Sequence, residues 1–202
     1  MKLSIGQKKI KKKNINITQI QKLPKKVKKI VLKKIKNITF KRNKISGFGF
    51  DKFIIFGVLN MTPDSFSDGG KFNKLKLAKM HIQKMINDGA SFIDIGGEST
   101  RPGAKLISTE IEKQRVLPII SKMKKYNISI DTRKSDVMLV AIKKGANIIN
   151  DVSALDFDQN SLAVVSKLQK PVILNHSQGT PDIMQNNPKY QNVLLDIYDY
   201  FE

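Results

Sequence analysis

From Phe53 to the C-terminus, short apolar runs alternate with segments whose apolar residues recur every three or four positions. That alternation predicts repeated strand–helix units and a parallel sheet. The first run, Phe53-Ile54-Ile55-Phe56-Gly57-Val58-Leu59, is nearly all apolar, as a strand covered on both faces should be. Behind it, Leu75, Ala78, Ile82 and Met85 keep helical spacing, with Asn73 placed to cap the helix and Gly89 to stop it. The cycle then repeats. Strands are predicted at Phe92–Ile95, Ile128–Asp131, Asn147–Asn150 and Pro171–Leu174. Helices are predicted over Glu110–Lys125, Ser135–Lys144 (stopped by Gly145), about Leu162–Leu168 and Tyr190–Phe201.

Five units of this kind fill the 150 residues from Phe53 onward, whereas a closed barrel of eight takes about 250 residues. The expected fold is therefore α/β: a TIM (β/α)8-type barrel, incomplete, with about five βα units present. An open doubly wound sheet is the alternative, since it tolerates five units. Against it, no glycine fingerprint follows the first strand, and polar residues close every strand rather than gathering at one crevice.

Charge changes the picture only at the N-terminus. The formal charge is +20, but residues 1–50 hold 17 of the 37 Lys and Arg and no Asp or Glu. The remaining 152 residues carry 20 basic and 17 acidic groups, close to balance. The expected division is a Lys-rich basic segment, 1–45, and a partial barrel, 46–202. Such a segment could bind nucleic acid electrostatically. Phe40 is its only aromatic residue before Phe48, so stacking on bases is not favoured, and solvated lysines around a few apolar positions are the preferred reading. With no cysteine there is neither disulfide nor thiolate site. No apolar stretch approaches the roughly 20 residues of a membrane span. A cytoplasmic, soluble protein is the expectation.

The strand ends carry the candidate chemistry. They read Asn60-Met61-Thr62-Pro63-Asp64-Ser65-Phe66-Ser67-Asp68-Gly69-Gly70, then Asp94-Ile95-Gly96-Gly97-Glu98-Ser99-Thr100-Arg101-Pro102-Gly103, then Asp131-Thr132-Arg133, Asn150-Asp151, and Asn175-His176-Ser177-Gln178-Gly179. In a barrel all five converge on one rim. There they can read the edge of a polar heterocycle and hold phosphate on Arg and backbone N–H groups. Singly, Asp-Gly-Gly and Arg-Pro-Gly are ordinary turns, strand-end aspartates are helix caps, and His176 and His81 read as structural and surface residues. Together they indicate a barrel enzyme for a small polar or phosphorylated ligand.

Asn60–Gly70 is similar, almost residue for residue, to the first signature loop of the dihydropteroate synthases. Gly96–Gly103 resembles the second, with Asn150-Asp151 and His176…Gln178-Gly179 at matching intervals. The resemblance covers about Phe53 to the C-terminus. It implies a transferase of folate biosynthesis and a sulfonamide target. Its reaction condenses 6-hydroxymethyl-7,8-dihydropterin diphosphate with p-aminobenzoate, giving 7,8-dihydropteroate and diphosphate. By the same resemblance, Asn60 is the ligand of a Mg²⁺ that holds the diphosphate. Asp131, Asn150 and Asn175 fall in the pterin pocket. Thr100 and Arg101 grip diphosphate, Phe66 and Pro102 wall the aminobenzoate site, and Asp64 and Arg101 are the catalytic pair. A homodimer is the family's usual assembly.

Two departures stand out. Asn175 and Ser177 replace the methionines that usually flank the strand-five histidine, which makes that wall more polar. The family's later Asp-Pro-Gly, Ser-Arg-Lys and Arg-x-His elements are not in the sequence, so an incomplete, inactive fragment is expected. Gly47-Phe48-Gly49-Phe50 reads as a coincidental echo of a family run. The alternatives are another pterin-binding methyltransferase, which needs no diphosphate grip, and a non-catalytic basic nucleic-acid-binding protein.

Overall fold

The computed structural model describes residues 2–5, 8–11, 17–39, 44–62, 71–99, 104–179, 183 and 187–201. The chain divides into two compact units, Met1–Asn43 with Lys189–Glu202, and Lys44–Pro188.

In the first unit, β1 (Lys2–Ile5) and β2 (Lys8–Lys11) form an antiparallel pair with Leu3 opposite Ile10. Helices α1 (Ile17–Gln21) and α2 (Lys25–Thr39) follow. Charge alone gave no hint of these elements. Helix α2 forms because Val27, Val31 and Ile35 recur at helical spacing and pack with Ile20 and Leu23 into a small core. Lys25, Lys26, Lys29, Lys33 and Lys36 lie on its exposed side. The last helix of the chain, which we number α7 (Val193–Tyr200), belongs to this unit. Asn192 caps it by accepting from the Leu195 N–H at 3.2 Å.

The second unit runs β3 (Phe56–Asn60), α3 (Lys71–Asn87), β4 (Phe92–Gly96), α4 (Thr109–Met123), β5 (Ile128–Asp131), α5 (Ser135–Lys144), β6 (Ile148–Asp151), α6 (Ser161–Leu168) and β7 (Val172–Leu174). All five strands are parallel and lie in the order β3-β4-β5-β6-β7. A doubly wound sheet reverses its strand order part-way. This one never does, and the fold is an incomplete (β/α)8-type barrel. The alternating pleat sends Leu59, Ile93, Ile95, Ile128, Ile130 and Ile149 toward the helices, where they meet Ala78, Ile82, Val116, Ile119, Val137 and Met138 in one core. The opposite face carries Asn60, Asp94, Ser129, Asp131 and Asn150, toward the barrel interior.

Two local expectations are corrected. The first strand begins at Phe56 rather than Phe53, because its partner β4 begins at Phe92, in register with Phe56. Phe53 is left 98 % exposed. Asn73 is no cap, since α3 already starts at Lys71, two residues earlier. The Gly47-Phe48 run has a local structural part. Ile45 and Phe48 exchange backbone hydrogen bonds of 2.9 Å around a turn at Ser46 and Gly47, both at positive φ. That turn puts the Phe48 ring 5.0 Å from Phe92, which itself stacks on Phe56 at 4.8 Å. These rings seat the hairpin at the N-terminal end of the sheet. None of the described helices is long and apolar enough to cross a membrane.

Candidate active site

Register alone gathers the site. Asn60, Gly96, Asp131, Asn150 and Ile173 stand side by side across the sheet as one row at its C-terminal rim. Gly96 matters by what it lacks. A Cβ there would lie 3.2 Å from Asp131 Oδ2 and 3.5 Å from Asn60 Oδ1, so the glycine keeps a cradle open between two oxygen donors. Asp131 is pushed up to about 7, by burial first and then by the negative charges of Asp94, Glu112, Asp151 and Glu98.

The row beneath holds Val58, Asp94, Ser129 and Ile148. Asn150 Nδ2 reaches down to donate to Asp94 Oδ2 at 3.0 Å. This leaves Asn150 Oδ1 as a buried acceptor without a hydrogen-bond partner. Burial raises the Asp94 carboxyl, while Ser129 across the strand pair and Asn150 pull it down. Buried acceptors are nearly always satisfied in folded proteins. An orphan acceptor on the interior face, at an open rim, calls for a ligand that brings an N–H donor.

A second polar group braces this rim from the helix side. Glu98, just past β4, accepts from Arg133 Nε at 2.9 Å and from the Ile107 N–H at 3.2 Å. Lys134 Nζ lies 3.1 Å from Glu98 Oε1 and 2.6 Å from Oε2 of the fully buried Glu112 on α4. Burial works to raise Glu98, yet Arg133, the Ile107 amide and Lys134 together hold its carboxyl below the ordinary range. Arg115 donates to the Gly97 carbonyl at 2.7 Å, and the Arg133 guanidinium sits 4.0 Å over the Phe157 ring.

The structure thus brings Asn60, Asp131 and Asn150 together. Asn175 follows two residues after Ile173, at the exposed end of β7. Asp64, Phe66, Thr100, Arg101 and Pro102 lie outside the described residues. Asp151 turns away from the interior. It accepts from the Ser153 N–H and hydroxyl and from the Leu155 N–H at 2.7–3.1 Å, fixing the turn after β6. His81 is exposed on α3. A cavity of about 330 Å³ opens at the opposite end of the sheet, lined by Phe50, Phe53, Phe56, Phe92, Ile148 and Ile173 among others. Its walls offer little chemistry, and the rim is the better candidate. Sequence reading included Asp94 in the strand-two run but gave it no role in the site, although a carboxylate inside the apolar run Phe92–Ile95 was a visible signal. It missed Glu112 and Lys134 for a different reason, since only tertiary packing shows that they are buried.

The comparisons with known proteins follow this geometry. A family model described as pterin binding enzyme matches residues 56–202. The chain belongs to this pterin-binding enzyme family. It is 46 % identical over 150 residues to a dihydropteroate synthase of Escherichia coli K12, an alignment that takes in 73 % of this chain and 53 % of that protein. Two solved structures are similar. One is the Yersinia pestis dihydropteroate synthase with a sulfonamide drug, at TM-score 0.69 and 40 % identity over 79 % of this chain and 59 % of that one. The other is the Xanthomonas albilineans dihydropteroate synthase with 4-aminobenzoic acid, at TM-score 0.66 and 38 % identity over 75 % and 54 %. The chain spans about half the length of the curated relative it matches. Gly96 gives a check on the open cradle at the rim. Gly96→Ala should change stability by about 1 kcal/mol, because its methyl meets only side-chain atoms of Asp131 and Asn60 at the rim and no backbone. It should weaken ligand binding at the rim about tenfold by filling the cradle. Calorimetric titration of folded parent and variant makes the comparison.

Proposed function

We propose that the chain carries the pterin and diphosphate half of a dihydropteroate synthase site. The reaction condenses 6-hydroxymethyl-7,8-dihydropterin diphosphate with p-aminobenzoate. The observation that carries the reading is the pair of interior acceptors, Asp131 and Asn150 Oδ1, at the C-terminal rim. A pterin ring presents N–H donors along one edge, and these acceptors are placed to take them. Charge-assisted bonds of this kind are worth about 1.5–3 kcal/mol each.

In this reading the pterin lies against the interior row, with its exocyclic methylene toward the outer rim. Thr100 and Arg101 hold the departing diphosphate, and Arg101 disperses its charge. Phe66 and Pro102 wall the aminobenzoate, holding its amine in line with the methylene and excluding water. Asp64 steadies the positive charge that develops as the leaving group departs. The amine forms the C–N bond at the methylene as the C–O bond to diphosphate breaks, and its proton passes to the released diphosphate or to water, so no protein nucleophile is needed. Asn175 contributes a polar wall beside the ring.

The donors at the rim fit a Mg²⁺ ion. Asn60 Oδ1 is a hard oxygen donor, Asp131 Oδ2 is its neighbour across Gly96, and no side chain fills the space between. No cluster of three or more His, Cys, Asp or Glu among the described residues could hold a metal alone. An ion held by Asn60 would take its remaining ligands from substrate phosphate and water. Bound there, it would neutralise the diphosphate. A cytoplasmic location and a homodimer remain part of the proposal by kinship.

The test is thermal protection of the 202-residue chain by diphosphate with Mg²⁺. Saturating ligand should raise the melting temperature, and Arg101→Ala should remove most of that rise by deleting a charge-assisted contact worth about 1.5–3 kcal/mol. Equal protection of parent and variant would count against the grip.

A further inference from the structure

We infer that Lys134 is a positioning residue. By joining the buried carboxylates of Glu98 and Glu112, it latches the junction after β4 to the start of α5. This rests on the proposed function, because the segment so held leads into the residues assigned to diphosphate.

The geometry is specific. Lys134 and both glutamates are largely buried, and Lys134 Nζ is shared between Glu98 at 3.1 Å and Glu112 at 2.6 Å. Glu98 alone holds two points of the chain. Its own backbone follows Gly97, and its Oε1 accepts from the Ile107 N–H. One carboxylate therefore ties both ends of the stretch between residues 98 and 107. Lys134 fixes that carboxylate to α4 through Glu112, and to the end of β5 through its own place three residues after Asp131. Arg133 adds a second tie from the same turn, and the Thr132 hydroxyl accepts the Lys134 N–H at 3.3 Å. Gly97 closes the arrangement. A Cβ there would lie 2.8 Å from Val116 Cγ1 and 3.0 Å from Glu112 Cγ, so the junction packs directly on α4.

Stability does not explain such a cluster. Buried ion pairs commonly do no better than an apolar replacement of the same shape, because desolvation cancels most of their attraction. What they do supply is one allowed arrangement. Apolar side chains here would let the junction slide on α4, whereas three charges with fixed partners do not. Partners that orient the ligands of an ion site typically change its affinity by about 10–100-fold.

The experiment uses the full chain and a charge-balanced pair of substitutions. Lys134→Met with Glu112→Gln removes one charge of each sign and leaves Glu98 with Arg133, so the variant keeps its fold. Lys134→Arg is the conservative control. Hydrogen exchange is followed by mass spectrometry, and inorganic diphosphate with Mg²⁺ is titrated calorimetrically. In the double variant, amide exchange in peptides covering 97–107 should accelerate about tenfold, with β5, β6 and α5 unchanged, and diphosphate should bind about tenfold more weakly. Lys134→Arg should restore both. Unchanged exchange in 97–107 in the folded variant overturns the latch. Exchange that rises everywhere shows a merely structural ion pair and also overturns it. A faster 97–107 with unchanged diphosphate affinity overturns the positioning role. If the parent itself binds no diphosphate, the preceding functional reading fails, while the exchange result still decides the latch.

Discussion

Asp131→Asn is expected to stabilise the ligand-free protein at pH 8 by up to about 4 kcal/mol while weakening pterin binding roughly 10–100-fold. The sign follows from the raised carboxyl, whose pKa moves from 3.8 to about 7 on folding. Between those values the folded state binds a proton that the unfolded state has released. Stability attributable to this group therefore falls as pH rises from about 4 to about 7, and ionised Asp131 works against the fold above that. Asparagine cannot ionise, so the variant loses the penalty. Below pH 3 the aspartate is protonated in both states and the advantage should vanish. Among the neighbouring charges behind the raised pKa, Asp94 contributes most. The ligand shows the opposite preference. An ionised Asp131 accepts N–H groups more strongly, and pterin affinity of the parent should increase as pH rises through about 7. Urea unfolding of both proteins from pH 3 to pH 8 tests the first half. A variant that is less stable than the parent at pH 8 would contradict it.

Lys134→Met alone should cost about 3–5 kcal/mol, because it strands Glu112 as a buried carboxylate with no cation beside it. Adding Glu112→Gln should recover most of that loss. The amide needs no counter-charge and keeps roughly the same volume. The contrast separates the charge of the pair from its packing. If the single and double variants unfold at the same urea concentration, the loss comes from packing alone. In that case the ion cluster has no electrostatic part in the rim.

Much of this architecture was legible because the sheet is parallel, with one face packed on the helices and each strand ending at one rim. Strands such as Ile128–Asp131 then read as short apolar–polar alternations that end in a polar residue, and a glycine stop stands where a helix must turn. Gly145, at φ +122°, ends α5 as its position in the sequence predicted. Boundaries failed where a partner decides them, as at Phe53, whose apolar character has no neighbouring strand to meet. The N-terminal unit was missed because its lysines masked a helical stripe of Val27, Val31 and Ile35. The rim was legible through motif resemblance for Asn60, Asp131 and Asn150. What escaped was the second layer. Asp94 acts from one row below the rim, and Glu112 and Lys134 lie 22 residues apart on different elements. No local pattern announces that such a pair will be buried together.

The central claim is that the rim formed by Asn60, Asp131 and Asn150 binds a pterin diphosphate. It is tested most directly by calorimetric titration of 6-hydroxymethyl-7,8-dihydropterin diphosphate into the 202-residue chain at pH 8, with and without Mg²⁺, beside Asp131→Asn. The account predicts saturable one-to-one binding that Mg²⁺ strengthens and that the variant weakens roughly 10–100-fold. No binding by the folded parent, or the same affinity in parent and variant, would contradict it.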